Sequence, residues 1–328
     1  MRMIKRLLVV VLTVVLIFTA TSCGNKSNKD SSRGDTLSKA TVKDTQTESP
    51  LLWRATDKEG RIIWLFGTIH IGNKQSKKVL KRLQPYLEQC DALAVEFDII
   101  AYSKDLEAQK RDVMEFLYDD GTTVSDHISE ELYEKLVDFL TESKSYFKFY
   151  DNYKLGFWSQ LVSQALISKS GLSTNKAMDK LLIDEAYSAD REILEVESAS
   201  FQNDLIVNTP DEYYVIDLDY SIDNADQYAE SFNDLYEVWL SGNEKKLYTL
   251  LMEEDLPEGL TEEQEIIIND FNEKLLTERN IGMAKKATEY IKSGKTVFFA
   301  VGAAHFLGND GIISLLEDEG YKIERVTF

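Results

Sequence analysis

The stretch Trp64–Gly72, WLFGTIHIG, and the stretch Phe298–Gly308, FFAVGAAHFLG, share one plan. An apolar run meets a glycine, and a histidine follows three residues later. A run of consecutive apolar residues reads as a strand buried on both faces, as in a parallel sheet. The elements around the two runs complete that reading. LLWRAT-DKEG-RIIWLFGT forms a β-hairpin with Gly60 in its turn, and SKKVLKRLQPYLEQ (76–89) places apolar residues at helical spacing. ALAVE (92–96) is a second buried strand, so strand, helix and strand make a β-α-β unit. At the other end, RNIGMAKKATEYIKSG is a helix stopped by Gly294, TVFFAV is a strand, GNDGIISLLEDEG a helix and YKIERVTF a last strand. The expected fold class is mixed α/β. A central mixed sheet is built from β-α-β units at both ends of the domain, with a large helical insertion between them at about 103–190.

Three side chains then fall on one edge. His70 and His305 lie just past the carboxyl ends of their strands, and Glu96 ends the strand between helix and insertion. Ligands of open α/β sheets bind outside the carboxyl ends of strands. Two histidines and a carboxylate are a common ligand set for a catalytic divalent metal. The glycines Gly67, Gly302 and Gly308 mark where the chain turns or lets a ligand approach. The helix from Arg279 is about 22 Å long and the strand after it about 20 Å, so antiparallel packing returns Arg279 and Asn280 to His305, where Arg279 could bind a carboxylate, from substrate or from Glu96, and Asn280 could orient a ligand. Glu195 and Glu197 share one face of REILEVES, a further strand. His127, without such framing, reads as structural. The aromatic run 146–168 reads as core, with a cleft wall the rival.

The amino terminus reads as targeting sequence. MRMIKR is a positive lead, and Leu7–Ala20 is an apolar run too short for a good membrane span. Small residues then lead to Cys23, the pattern of a bacterial lipoprotein signal, although Ala20 stands where leucine is usual. Residues 1–22 are the expected signal peptide, with Cys23 the lipidated residue and membrane attachment site. The rival is a secretory signal cut near Ser22. Residues 23–50 read as a flexible tether, and 51–328 as the domain, held outside the cytoplasm. Cys90 is then a lone buried thiol.

The whole chain carries −20 and the first 50 residues +4, leaving −24 on residues 51–328. That argues against nucleic acid as a partner and against electrostatic docking on a membrane.

The motifs FGTIH, DALAVEFD, AMDKLLIDEA…REILEVESASFQ, RNIGMA and VGAAHFLGNDGIISLLEDEGYKIERV, in that order, resemble the TraB/PrgY/GumN family. That family includes the Tiki metal-dependent proteases and is similar, more distantly, to erythromycin esterases and haem-binding lipoproteins. The resemblance implies that His70, His305 and Glu96 bind manganese, cobalt or zinc. It sets Glu197, Ser198 and Gln202 on an LE-T-x-x-x-Q pattern, with serine replacing threonine. Arg279 and Asn280 match its RN pair, and Ala177-Met178-Asp179 its G-x-D, with the glycine lost. The implied activity is a membrane-anchored metallopeptidase. Glu96 or Glu197 takes a proton, and Arg279 and Asn280 hold substrate or oxyanion. A metal-free histidine esterase or amidase, or a lipoprotein that binds a peptide, haem or metal without catalysis, are the rivals. The substrate would be a peptide or a small molecule.

Overall fold

The computed structural model describes residues 49–252 and 259–328. The expected signal peptide, Cys23 and most of the tether lie outside the described residues. Ser49 and Pro50, read from sequence as the end of the tether, are buried, and the Arg325 guanidinium donates to both carbonyls.

Strand β1 (Leu52–Thr56) turns back into β2 (Ile62–Thr68). Asp57 fixes the turn by accepting from the Glu59 and Arg61 amides, and Gly60 adopts φ +81. Helix α1 (Ser76–Leu87) buries Val79, Leu83 and Leu87 and leads to β3 (Ala92–Val95). Then come α2 (Ile99–Tyr102), α3 (Leu106–Glu115), α4 (Val124–His127), α5 (Glu130–Glu142), α6 (Leu155–Ser170) and α7 (Met178–Ser188). Strand β4 (Glu192–Glu195) precedes α8 (Ala199–Val207), α9 (Asp211–Asp223), α10 (Ala225–Ser241), α11 (Glu244–Met252) and α12 (Glu262–Asn272). Helix α13 (Glu278–Lys292), β5 (Val297–Gly302), α14 (Ile312–Asp318) and β6 (Lys322–Val326) complete the order.

The six strands form one mixed sheet in the order β4-β3-β5-β2-β1-β6. β1 is antiparallel to both its neighbours, and β2, β5, β3 and β4 are mutually parallel. The β-α-β reading therefore holds at both ends, with one refinement. β2 and β3 do not touch; β5, from the other end of the chain, lies between them. The continuous apolar runs follow from this, because β5 and β3 are buried along their whole length.

The aromatic run is core: helix α6 is buried from Leu155 to Ser163, with Trp158 and Leu155 fully enclosed. Phe147 and Phe149, just before it, are exposed instead. Ser129 and Thr261 cap α5 and α12 as their sequences predict. Helices α12 and α13 are continuous through a π-helical turn at Glu273–Thr277. His127 is structural: it bonds Thr122 and Asp211 and stacks on Tyr118.

Between α6 and α9 lies a buried carboxyl group, Asp217, accepting from Ser159 Oγ at 2.9 Å. Burial pushes its pKa up to about 7, and the Ser159 hydrogen bond offsets only part of that. The folded chain thus holds this proton more tightly than the unfolded one, where the group titrates near 4. Stability from this site is full below pH 4 and falls as pH rises toward 7. Asp217→Asn is expected to raise the melting temperature by a few degrees at pH 8 and to change it little at pH 4, as read by thermal melts across that range.

Candidate active site at the strand ends

The parallel register aligns the strand ends: Thr68 of β2 faces Gly302 of β5, and Val95 of β3 faces Ala300. His70, Glu96 and His305 each follow one of these ends, on the edge predicted for them. Gly302 marks their common point. A Cβ built there would lie 3.3 Å from Glu96 Oε1, 3.5 Å from His305 Cδ2 and 3.8 Å from His70 Nε2. Its backbone φ of −50 is open to any residue, so glycine is needed for space rather than for a turn. Gly67 also serves close approach, since its Cβ would press on Ala303 at 3.0 Å. Gly308 does need its freedom, with φ +80 and the Tyr248 ring close by.

Each histidine is oriented through Nδ1. The His70 Nδ1–H donates to Asp179 Oδ2 at 2.7 Å, and that of His305 donates to Asn280 Oδ1 at 2.7 Å. Asn280 is itself fixed by donating to the Asp310 carbonyl. Both Nε2 atoms are thereby left for the site. That of His70 is buried without a hydrogen-bond partner, 3.8 Å from Glu96 Oε1.

The two rings have opposite electrostatics. Burial pulls the His70 pKa down, but the Asp179 carboxylate and Glu96 outweigh it and lift it to about 9. Burial and the Arg279 charge depress His305 to about 3, so it is neutral. Burial works against ionising Glu96, yet Arg279, the two histidines and the Gly302 amide hold its pKa at about 2.

Behind Glu96 sits a closed ionic network. Arg279 grips Glu197 through Nε and Nη2, at 2.8 and 2.7 Å, and reaches Glu96 Oε2 from Nη2 at 2.9 Å. Its Nη1 donates to the Leu275 carbonyl in the π-helical turn. Gln202 Nε2 bridges the same carboxylates, at 2.8 Å to Glu96 and 2.9 Å to Glu197. The length matching that returned Arg279 and Asn280 to this edge holds. Arg279 is buried and binds Glu96, one of the two carboxylates open to it, and Glu197 besides, while Asn280 orients His305. Glu197 lies past the end of β4 and contacts neither histidine, while Glu195 accepts from the Asp98 amide.

Two residues of the site were named from sequence only as motif positions, without a role. Asp179, in the first turn of α7, is brought over the edge by the Met178 amide bonding the Ile69 carbonyl. Gln202 reaches in from α8. Their only sequence signals are the G-x-D and x-x-x-Q patterns of the family resemblance.

Could a divalent ion use these groups? The donors fit it chemically: two imidazoles presenting Nε2, each braced at Nδ1 as metal-ligating histidines are, and a carboxylate held ionised. Among the described residues, however, no three His, Cys, Asp or Glu side chains form a closed ligand group. The expected trio is therefore convergent rather than assembled. Glu96 gives Oε2 to Arg279 and Gln202 and shares Oε1 with the Gly302 amide.

Fold and site together define an α/β protein whose polar centre sits at the carboxyl edge of a parallel strand triplet. The chain belongs to the TraB/PrgY/gumN family, whose sequence model matches residues 51–325. Among curated proteins it is similar to Metalloprotease TIKI1 of Danio rerio, 43% identical over 56 residues, which is 16% of this chain and 11% of that protein. It is 32% identical over 106 residues to the Metalloprotease TIKI homolog of Nematostella vectensis, covering 31% of this chain and 22% of that one. The matched stretches thus span less than a quarter of these relatives. No solved structure matches the chain.

Removing Arg279 would leave two buried carboxylates facing each other without their cation. Arg279→Met is expected to cost about 3–5 kcal/mol in urea unfolding. Adding Glu197→Gln should restore part of the loss, because one of the stranded charges is gone.

Proposed function

We propose that the chain is a divalent-metal-dependent hydrolase acting on peptides, exported and anchored through a lipid on Cys23. The convergence of His70 Nε2, His305 and Glu96 Oε1 on Gly302 carries the catalytic reading. The partial likeness to proteins named metalloproteases supports the chemistry, and the sequence of residues 1–23 supports the anchor.

His70, His305 and Glu96 would hold the ion, which when bound supplies a Lewis acid for the carbonyl and a water of lowered pKa. The chain's own groups set the conditions for this. Asp179 fixes the His70 ring and its tautomer, and Asn280 does the same for His305. Arg279, Glu197 and Gln202 hold Glu96 ionised with Oε1 turned toward the histidines. Of the two carboxylates proposed to take a proton, Glu96 and Glu197, the nearness of Glu96 Oε1 to His70 Nε2 favours Glu96, with Glu197 positioning it through the shared guanidinium.

His70 Nε2 has two competing occupants, a proton or a cation. The residue's high proton affinity favours a second reading, in which a His70–Asp179 dyad works without metal as a proton carrier for ester or amide cleavage.

Three measurements decide between these readings. Metal analysis of the purified protein should find a stoichiometric divalent ion that is lost in His70→Ala and in His305→Ala. Cleavage of a peptide library should stop on chelation and return with added metal. Calorimetric affinity for the ion should rise about tenfold per pH unit between 7 and 8, since one His70 proton must leave. Cleavage that persists in His70→Ala, or no cleavage with manganese, cobalt or zinc supplied, would sink the hydrolase proposal. Chelator-resistant cleavage that needs His70 would select the metal-free dyad.

A further inference from the structure

The domain's −24 is a count of charges, and it says nothing of their placement. On α1 and its lead-in, Lys74, Lys77, Lys78 and Lys81 recur at intervals of three and four, which is one face of a helix. All four are exposed, and the opposite face buries Val79, Leu83 and Leu87. The first turn of α1 holds no acidic residue. Lys176, also exposed, joins the stripe at its amino-terminal end, because Gly72 and Ser173 exchange backbone hydrogen bonds and set the two loops side by side. Among the described residues, none of these five lysines forms a salt bridge, whereas Lys135, Lys148, Lys169, Lys274 and Lys295 all do.

A second observation says what this face meets. Residue Ser49, where the described chain begins, accepts from the Phe328 amide at 3.0 Å. The Phe328 ring packs edge-on against Tyr86 and lies under the Arg82 guanidinium, both on α1. The segment that links the domain to Cys23 therefore joins it against the lysine helix. On the tether reading of the sequence, the 25 residues 24–48 would have a typical reach of about 25–30 Å. An anchored domain is thus held within reach of the bilayer with α1 beside its leash.

We propose that the lysine face of α1, with Lys176, docks on the anionic headgroups of the membrane that carries the anchor. This rests on the lipid-anchor reading given above. The stripe gives one orientation to a domain whose remaining surface is strongly acidic and repelled by the same headgroups. That orientation also places the catalytic edge at the bilayer. Lys176 lies three residues from Asp179, and His70 and Asp179 are the most exposed of the site's charged side chains. Substrates would be met at the membrane surface.

The test uses the full chain reconstituted in vesicles of phosphatidylcholine alone or with phosphatidylglycerol. Flotation reports anchoring. Acetylation of lysines by a water-soluble reagent, read residue by residue by mass spectrometry, reports docking. With phosphatidylglycerol, Lys74, Lys77, Lys78, Lys81 and Lys176 should react at least about fivefold more slowly than exposed Lys110, Lys245 and Lys285, and molar salt should abolish the difference. Lys77→Glu with Lys81→Glu should restore fast labelling of Lys74 and Lys78 while flotation is kept. Fast labelling of the stripe on floated phosphatidylglycerol vesicles would overturn the proposal, as would equal protection on pure phosphatidylcholine. Protection by soluble polyglutamate but not by vesicles would reassign the face to an acidic polypeptide and also overturn it. Flotation and stripe protection that both require phosphatidylglycerol would remove the anchor and leave docking standing. A chain that floats with neither vesicle removes both.

Discussion

Glu96 stands at the end of a fully buried strand, and burial alone would drive its carboxyl neutral. Arg279 prevents this. The guanidinium is enclosed with it, 2.9 Å away, and a second carboxylate, Glu197, shares the charge. Much of the surrounding architecture serves that contact. Helix α13 must run antiparallel to β5 to bring its first turn to the sheet edge. The π-helical turn before it puts the Leu275 carbonyl where Arg279 Nη1 can use it. Such turns concentrate at functional sites because they re-aim the side chains that follow. A buried ion pair of this kind adds little net stability but leaves its members no tolerable alternative. It therefore fixes geometry: Glu96 has one oxygen tied down and one turned toward the histidines.

The two histidines are alike in sequence and unlike in environment. Both follow a strand by the same spacing, and both have Nδ1 engaged. The partner of His70 is a carboxylate and that of His305 is an amide. Burial disfavours the proton on both rings; the Asp179 carboxylate overrides it for His70, whereas the Arg279 charge adds to it for His305, and their proton affinities separate to about 9 and about 3. One imidazole is a proton holder at neutral pH and the other is a bare lone pair. On the proposed metal reading, such a pair would take up a cation at the cost of one proton rather than two.

Much of this was legible in the chain. Apolar runs ending in glycine gave the parallel strands, and matched lengths returned Arg279 and Asn280 to His305. Strand order was not legible. β2, α1 and β3 are consecutive, and nothing in their sequence announces that a strand from 200 residues later separates them. The partners of the polar side chains were also hidden. Asp179 looks like any acidic residue in a first helical turn, a position favoured by the helix dipole alone. Its second role depends on where α7 starts relative to Ile69, which is a tertiary fact. Arg279 was placed correctly with Glu96 as one of its two possible partners, but sequence does not show that Glu197 shares it.

The insertion of β5 between β2 and β3 has a consequence in time. A chain made amino end first presents β2 and β3 long before β5 exists. Until then the two central strands have no neighbour on their inner edges, and their side chains are apolar on both faces. The cluster of His70, Glu96 and His305 is likewise unfinished, for His305 follows the strand that fills the gap. Completion of that cluster and closure of the sheet thus arrive together, as a late event. The delay leaves the chain the most exposed to aggregation just before it is whole.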